Sequence, residues 1–177
     1  IAADMVALLL SQAWKDELRA DAKKQPHRTP AESIDENSYA KGRFISPGEA
    51  EADSPWRFDV PNWKALPGSF RSRFAEKKFL HADKPGAEAT LQFHGRAIGA
   101  YVLAGPDAGI VEASIDGGKF QPVDLYHRFS AGLHYPRTVM LATDLNDGEH
   151  TLRLRISDNH NKASKGHAVR ILQFTAN

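Results

Sequence analysis

The triplet Asp116-Gly117-Gly118 constrains this chain more than any other feature. It joins two short apolar runs, and Asp-Gly-Gly reaches positive φ at little cost, as a tight hairpin demands. On its N-terminal side Val111, Ala113 and Ile115 alternate with Glu112, Ser114 and Asp116, and further upstream Leu91 and Phe93 alternate with Gln92 and His94. A period of two turns one set of side chains to a core and the other to water, the mark of a half-buried antiparallel strand. The stretch 91–124 thus reads as four short apolar runs separated by glycine-centred turns.

The pattern recurs on both sides. In 150–156, Leu152, Leu154 and Ile156 face in while Thr151, Arg153 and Arg155 face out, directly after a turn at Asn146-Asp147-Gly148. Residues 138–143 are strand-like and 157–166 form a polar loop. In 169–174 neighbouring residues are both apolar, which predicts a strand that is central or covered on both faces. Upstream, Trp56, Phe58 and Val60 alternate into a strand that ends at Pro61. Residues 63–68 read as a loop and 70–80 as one or two short strands. Eight to ten short strands with regularly spaced turns describe a mainly β fold: an antiparallel β-sandwich of the jelly-roll kind.

One N-terminal helix precedes it. Ala, Leu, Lys, Glu and Arg dominate residues 1 to about 24, and Pro26 stops the run. Met5, Val6, Leu8, Leu9 and Leu10 point in nearly every direction around such a helix, and a helix apolar all round wants burial on all sides. A sandwich could cover only one side. No basic segment precedes this run and no small-residue cleavage site follows it, so a signal peptide is the poorer reading. The better one is the last helix of a preceding domain, separated from its own sheet and without an N-cap, as a cut would leave it. Alone, it is expected to fray over 1–20 or to dimerise. Residues 26–53 are polar and spotted with Pro26, Pro30 and Pro47, with Tyr39, Phe44 and Ile45 as anchors and one short strand at 42–46. The expected plan is a terminal helix at 1–25, a linker at 26–53 and a sandwich at 54–177.

Composition narrows the function. A chain of 177 residues has room for one sizeable core and a tail. Its net charge of +1, with both signs interspersed, carries no basic footprint for nucleic acid or an anionic membrane. No apolar run approaches the roughly 20 residues of a membrane span. The absence of cysteine excludes disulfides, thiolate metal sites and a cysteine nucleophile. The eight histidines are scattered, with no His-x-His or His-x-x-x-His, so zinc spacing is missing and His94 reads as a surface residue. Asp144-Leu145-Asn146-Asp147-Gly148-Glu149 approaches a calcium loop but lacks the third oxygen ligand before the glycine, and reads as a turn. No cofactor is called for; a structural calcium elsewhere in the sandwich stays open.

The order of pieces Phe93-His94-Gly95, Ser114-Ile115-Asp116-Gly117-Gly118 and Asp147-Gly148-Glu149-His150-Thr151-Leu152 resembles the carbohydrate-binding-like jelly rolls attached to SGNH/GDSL-type hydrolases, which are mostly bacterial carbohydrate O-acetylesterases. The opening Ile1-Ala2-Ala3-Asp4-Met5-Val6 resembles the terminal helix of such a hydrolase domain. The resemblance covers 91–174 and, loosely, the helix. That family's chemistry rests on a Gly-Asp-Ser block, Gly and Asn oxyanion donors and an Asp-x-x-His block; no Gly-Asp-Ser block occurs here, and the spacing Asp-x-x-His, at Asp124–His127 and Asp147–His150, stands without that nucleophile. In Asp158-Asn159-His160-Asn161 the histidine comes one residue too early and lies on a loop. The resemblance therefore implies a non-catalytic accessory domain of a secreted or periplasmic bacterial carbohydrate (acetyl) esterase. Its partners would be polysaccharide or the upstream hydrolase domain.

A sandwich binds sugar with flat aromatic faces and a few planar polar groups. Trp56 alternates with Phe58 and belongs to the core; Trp63, beside a proline and a turn, is the better exposed candidate. The segment 124–137 is richest in function-capable side chains. It supplies Asp124, Tyr126, His127, His134, Tyr135 and Arg137 on what reads as one long loop. These residues either touch carbohydrate or pack against the neighbouring domain. Ser130 lacks a base with an orienting partner and is no nucleophile. A sandwich that mediates protein interaction without binding sugar is the alternative, and a catalytic sandwich built on His127, His134 and Asp124 the weakest reading.

Overall fold

Among the described residues, antiparallel pairing joins eleven short strands into two sheets in the computed structural model. In chain order they are β1 (Arg43–Ile45), β2 (Glu51–Ala52), β3 (Arg57–Asp59), β4 (Phe79–Ala82), β5 (Glu88–His94), β6 (Ile98–Ala104), β7 (Ile110–Ile115), β8 (Gln121–Asp124), β9 (Tyr135–Ala142), β10 (Glu149–Ile156) and β11 (Val169–Ala176). One sheet has the order β3-β4-β11-β6-β9, with β1 beside the second half of β11; the other runs β2-β5-β10-β7-β8. The structure describes residues 2–15, 23, 31 and 41–177. The chain divides into two compact units, Ile1–Glu36 and Asn37–Asn177.

The alternation read in the sequence becomes the core. Leu152, Leu154 and Ile156 of β10 are buried and join Leu91, Phe93, Val102, Ile171 and Phe174 in one apolar cluster. At the hairpin between β7 and β8, Asp116 and Gly117 both take positive φ (52° and 74°) and the Gly118 amide donates to the Ile115 carbonyl at 2.8 Å. This is the mirror-image turn whose twist suits paired strands. Strand β11 is both central and covered: a second cluster of Phe74, Phe79 and Leu103, with Trp63, Phe70, Tyr101 and Leu172 against it, accounts for the apolar residues on its other face.

Three sequence expectations need adjustment. Only the end of 70–80 forms a strand; Ser72–Phe74 is a 3-10 turn that tucks Phe74 into the second cluster. Phe70 and Phe74 are four apart, a spacing that puts both on one face of a strand, so the period of two could not warn of the turn. Trp56 is buried, but Phe58 and Val60 are exposed, because β3 is a three-residue edge strand paired only with β4. The sheets also take in residues upstream of position 54. β1 pairs with β11 and β2 with β5, and a capping box closes the turn between them, with Ser46 Oγ accepting from the Gly48 amide and Glu49 Oε1 from the Ser46 amide. The rest of the expected linker, including Tyr39, lies outside the described residues apart from position 31 and the short stretches at 41–53.

Helix α1 spans Ala2–Ala13, and Trp14 and Lys15 close it as a turn. Residues 16–22 and 24, to which the sequence extended it, lie outside the described residues. Met5, Val6, Leu8, Leu9, Leu10 and Trp14 are all exposed on it. The helix is not long and apolar enough to cross a membrane.

At the hairpin end of the sandwich, His150 ties two turns together. Its Nδ1 lies 2.7 Å from Asp116 Oδ2 and its Nε2 2.9 Å from the Asn146 carbonyl, while the Thr151 amide donates to Asp116 Oδ1. The Asn146 carbonyl, then the Asp116 carboxylate, raise the His150 pKa above its ordinary 6.5. Its contribution to stability is therefore full below pH 6.5 and is lost as pH rises through the raised value. We expect His150→Ala to lower Tm by about 3 °C at pH 6. The deficit should shrink in thermal melts at higher pH, and an equal deficit at every pH would refute the assignment.

Candidate functional site

The loops opposite that hairpin carry most of the residues nominated from the sequence. Strand β8 ends at Asp124, whose carboxylate is fully engaged: Oδ1 accepts from the Tyr126 amide at 2.9 Å and Oδ2 from Asn161 Nδ2 at 2.6 Å. The first contact is the local turn that Asp favours; the second ties segment 124–137 to the polar loop before β11. Leu125 is buried, and its amide donates to the Gly109 carbonyl. Arg137 on β9 reaches back, and its Nη1 donates to the carbonyls of Leu125 and Tyr126 at 3.3 Å each. Tyr126 is half-buried against the main core.

A single 3-10 turn, Arg128–Ala131, follows. His127 caps it: its Nδ1 accepts from the Phe129 amide at 3.3 Å, which leaves the proton of the neutral ring on Nε2, and its own amide donates to Ser130 Oγ at 3.1 Å. Ser130 is wholly buried, out of reach of any substrate. The His127 ring stacks on Tyr135 with centroids 4.8 Å apart and planes 13° apart. Phe129 packs obliquely against both rings, carries the Arg128 guanidinium 4.7 Å above its face, and is 49% exposed. The result is a small aromatic platform open to solvent, flanked by a cation.

His134 has a different fate. It is 0% exposed, and its ring meets the edge of Trp63 at 5.3 Å. Gly105 makes room for it: a Cβ there would come within 2.4 Å of the imidazole. Neither ring nitrogen has a well-formed hydrogen bond, and the Pro67 carbonyl is the backbone group that faces it. Burial, then the nearby Arg170 charge, hold its pKa below the ordinary value; Asp107 and the Pro67 carbonyl act in the opposite sense. Behind it, Arg170 and Asp107 form a two-pronged pair at 2.9 and 2.6 Å, with Arg170 only 4% exposed. Burial works against ionisation of Asp107, but the Arg170 hydrogen bond and charge outweigh it and keep the carboxyl below its usual range.

Trp63 opens the 3-10 turn Trp63–Ala65 and is half-buried. It stacks on Phe70 at 4.5 Å, meets the edge of Phe79, and donates from Nε1 to the Ala75 carbonyl at 3.2 Å. One side of it borders a shallow hollow shared with Pro61, Asn62, Lys64 and Phe70.

The fold therefore gathers Asp124, Tyr126, His127, Tyr135 and Arg137 into one knot and places His134 and Trp63 together in another. Asp124, His127 and His134 make no hydrogen bond with one another, so no acid–imidazole relay forms from them. Among the described residues no three His, Asp or Glu side chains converge at metal-binding distance. Phe129 was not among the residues nominated from the sequence, and Arg128 counted only as one of the two arginines of the segment 124–137. An aromatic beside a basic residue in a polar loop was the available signal, but its exposure depends on where Tyr135 lies.

No protein-family model and no curated protein sequence matches the chain. Solved structures share its fold. A two-domain esterase active on acetylated mannans superposes with a TM-score of 0.60 at 14% identity, over 98% of this chain and 45% of that one. The same enzyme co-crystallised with mannopentaose gives 0.59 at 12% identity, over 98% and 44%. An exo-β-1,3-galactanase from Phanerochaete chrysosporium, in a variant with β-1,3-galactotriose, gives 0.50 at 19% identity, over 78% and 30%. The chain thus spans less than half the length of each of these structures.

Proposed function

We propose that this chain is the accessory sandwich of a secreted or periplasmic carbohydrate esterase of the SGNH type, and that it binds polysaccharide through the platform of His127, Phe129 and Tyr135. In this reading 1–25 is the closing helix of the upstream hydrolase domain and 26–53 leads into the sandwich. The observation that carries the proposal is the half-exposed Phe129 ring, held obliquely against His127 and Tyr135 on a 3-10 turn with Arg128 over one face. A sugar ring offers CH groups to such a face and hydroxyls to the neighbouring cation and amides. The fold shared with part of a two-domain esterase active on acetylated mannans supports the same reading.

A second reading has its own support. Asp124, His127 and Arg137 are each engaged in bonds within the loop, as in a brace for a neighbouring domain. Calorimetric titration with mannopentaose separates the two. Binding that weakens about tenfold in Phe129→Ala, with Tm little changed, is the expected result. Binding unaffected by that change removes the platform, and no heat at millimolar ligand leaves the bracing role.

A further inference from the structure

Strands β3, β4 and β11 place three basic side chains in one row. Arg57 lies opposite His81, and His81 opposite Arg170. Directly paired residues share a face at about 5 Å, where like charges repel unless each is compensated. His81 is compensated: its Nε2 lies 2.7 Å from Asp59 Oδ1. Arg170 has both oxygens of Asp107. Arg57, at the end of the row, has neither an ion pair nor a hydrogen bond with any of the described residues.

The row lines a cleft of about 420 Å³, bordered by Pro55, Pro61, Leu66, Asn62 and Asp83. That is room for a small organic molecule. Arg170 is neutralised by Asp107 and His81 is bound to Asp59, so among the lining residues Arg57 is the cation left without a carboxylate, while Asp83 adds one negative charge. His81 and Arg170 are buried beneath the cleft and pinned by their carboxylates, whereas Arg57 keeps its donors free. A guanidinium offers a flat fork that fits a carboxylate in two-pronged fashion. One unpaired guanidinium suits one carboxylate; a phosphate dianion would bring a second negative charge beside Asp83 with no cation to balance it.

We propose that this cleft is a binding site for a small monocarboxylate, with Arg57 gripping the carboxylate and Asn62 beside it. No Trp, Tyr or Phe lines the cleft, so it differs in chemistry from the Phe129 platform, and the two stand or fall separately.

Chemical-shift titration of the full chain with lactate, lactamide and inorganic phosphate tests it. Saturable shifts at Arg57, Asn62 and His81 are expected with lactate and not with lactamide. Arg57→Gln should weaken lactate about tenfold, and Arg57→Lys less. Because Arg57 is exposed and unpaired, neither variant should alter the fold, and a wild-type-like spectrum without ligand checks this. The proposal is overturned if lactate gives no saturable shift, if lactamide binds equally, if phosphate binds more tightly, or if Arg57→Gln leaves lactate binding intact.

Discussion

Arg170→Met is expected to cost about 3 kcal/mol of folding stability. Arg170 is 4% exposed on β11, and both terminal nitrogens of its guanidinium are spent on Asp107, whose side chain is itself mostly covered. Methionine fills much of the volume but leaves a buried carboxylate with its counter-charge gone. Breaking one side of such a pair carries a larger penalty than removing both sides, since the orphaned ion has lost its water and its partner together. The double variant Asp107→Ala/Arg170→Met should therefore be more stable than Arg170→Met alone. Urea unfolding of the wild type, both single variants and the double variant closes the cycle. A loss under about 1 kcal/mol in Arg170→Met would mean that water reaches Asp107 and that the pair is not structural.

Acid should loosen the same region before it reaches the carboxylates. His134 is buried without a good hydrogen bond and its pKa lies below 6.5, first through burial and then through the Arg170 charge. An unfolded chain takes up this proton near pH 6.5 while the folded chain resists. Stability from the neutral ring is therefore full above 6.5 and falls as pH drops from there toward the lowered value. Asp107, lowered from 3.8, begins to lose its contribution only below that value, so its loss sets in at lower pH than that of His134. His150 has the opposite sign and weakens the fold on the alkaline side, which places the joint optimum of these two histidines near pH 6.5. In His134→Leu the loss of stability between pH 6.5 and 5 should disappear, whatever the variant's stability at pH 7. Persistence of the full slope in that variant, by chemical unfolding at each pH, would assign the acid response to other groups.

Much of the sandwich was legible because strand patterning is local. Leu152, Leu154 and Ile156 announce their face by a period of two, and Asp116-Gly117-Gly118 announces its turn by backbone preference; neither depends on what lies across the sheet. The apolar character of both faces of β11 was legible for the same reason, and the cluster of Phe74, Phe79 and Leu103 supplies the cover it calls for. Where the pattern was short, as at Phe58 on a three-residue edge strand, the local rule misjudged the face. The candidate site was legible only as a reservoir of residue types between 124 and 137. Which of them face solvent depends on contacts between loops far apart in sequence, such as Asp124 with Asn161 and His134 with Trp63. The row of Arg57, His81 and Arg170 spans more than a hundred positions and exists through the register of β3, β4 and β11. A one-residue slip in either pairing would turn a member of that row to the opposite face, so its charge balance, and the unpaired Arg57 above the cleft, belong to the assembled sheet and not to any segment of the chain.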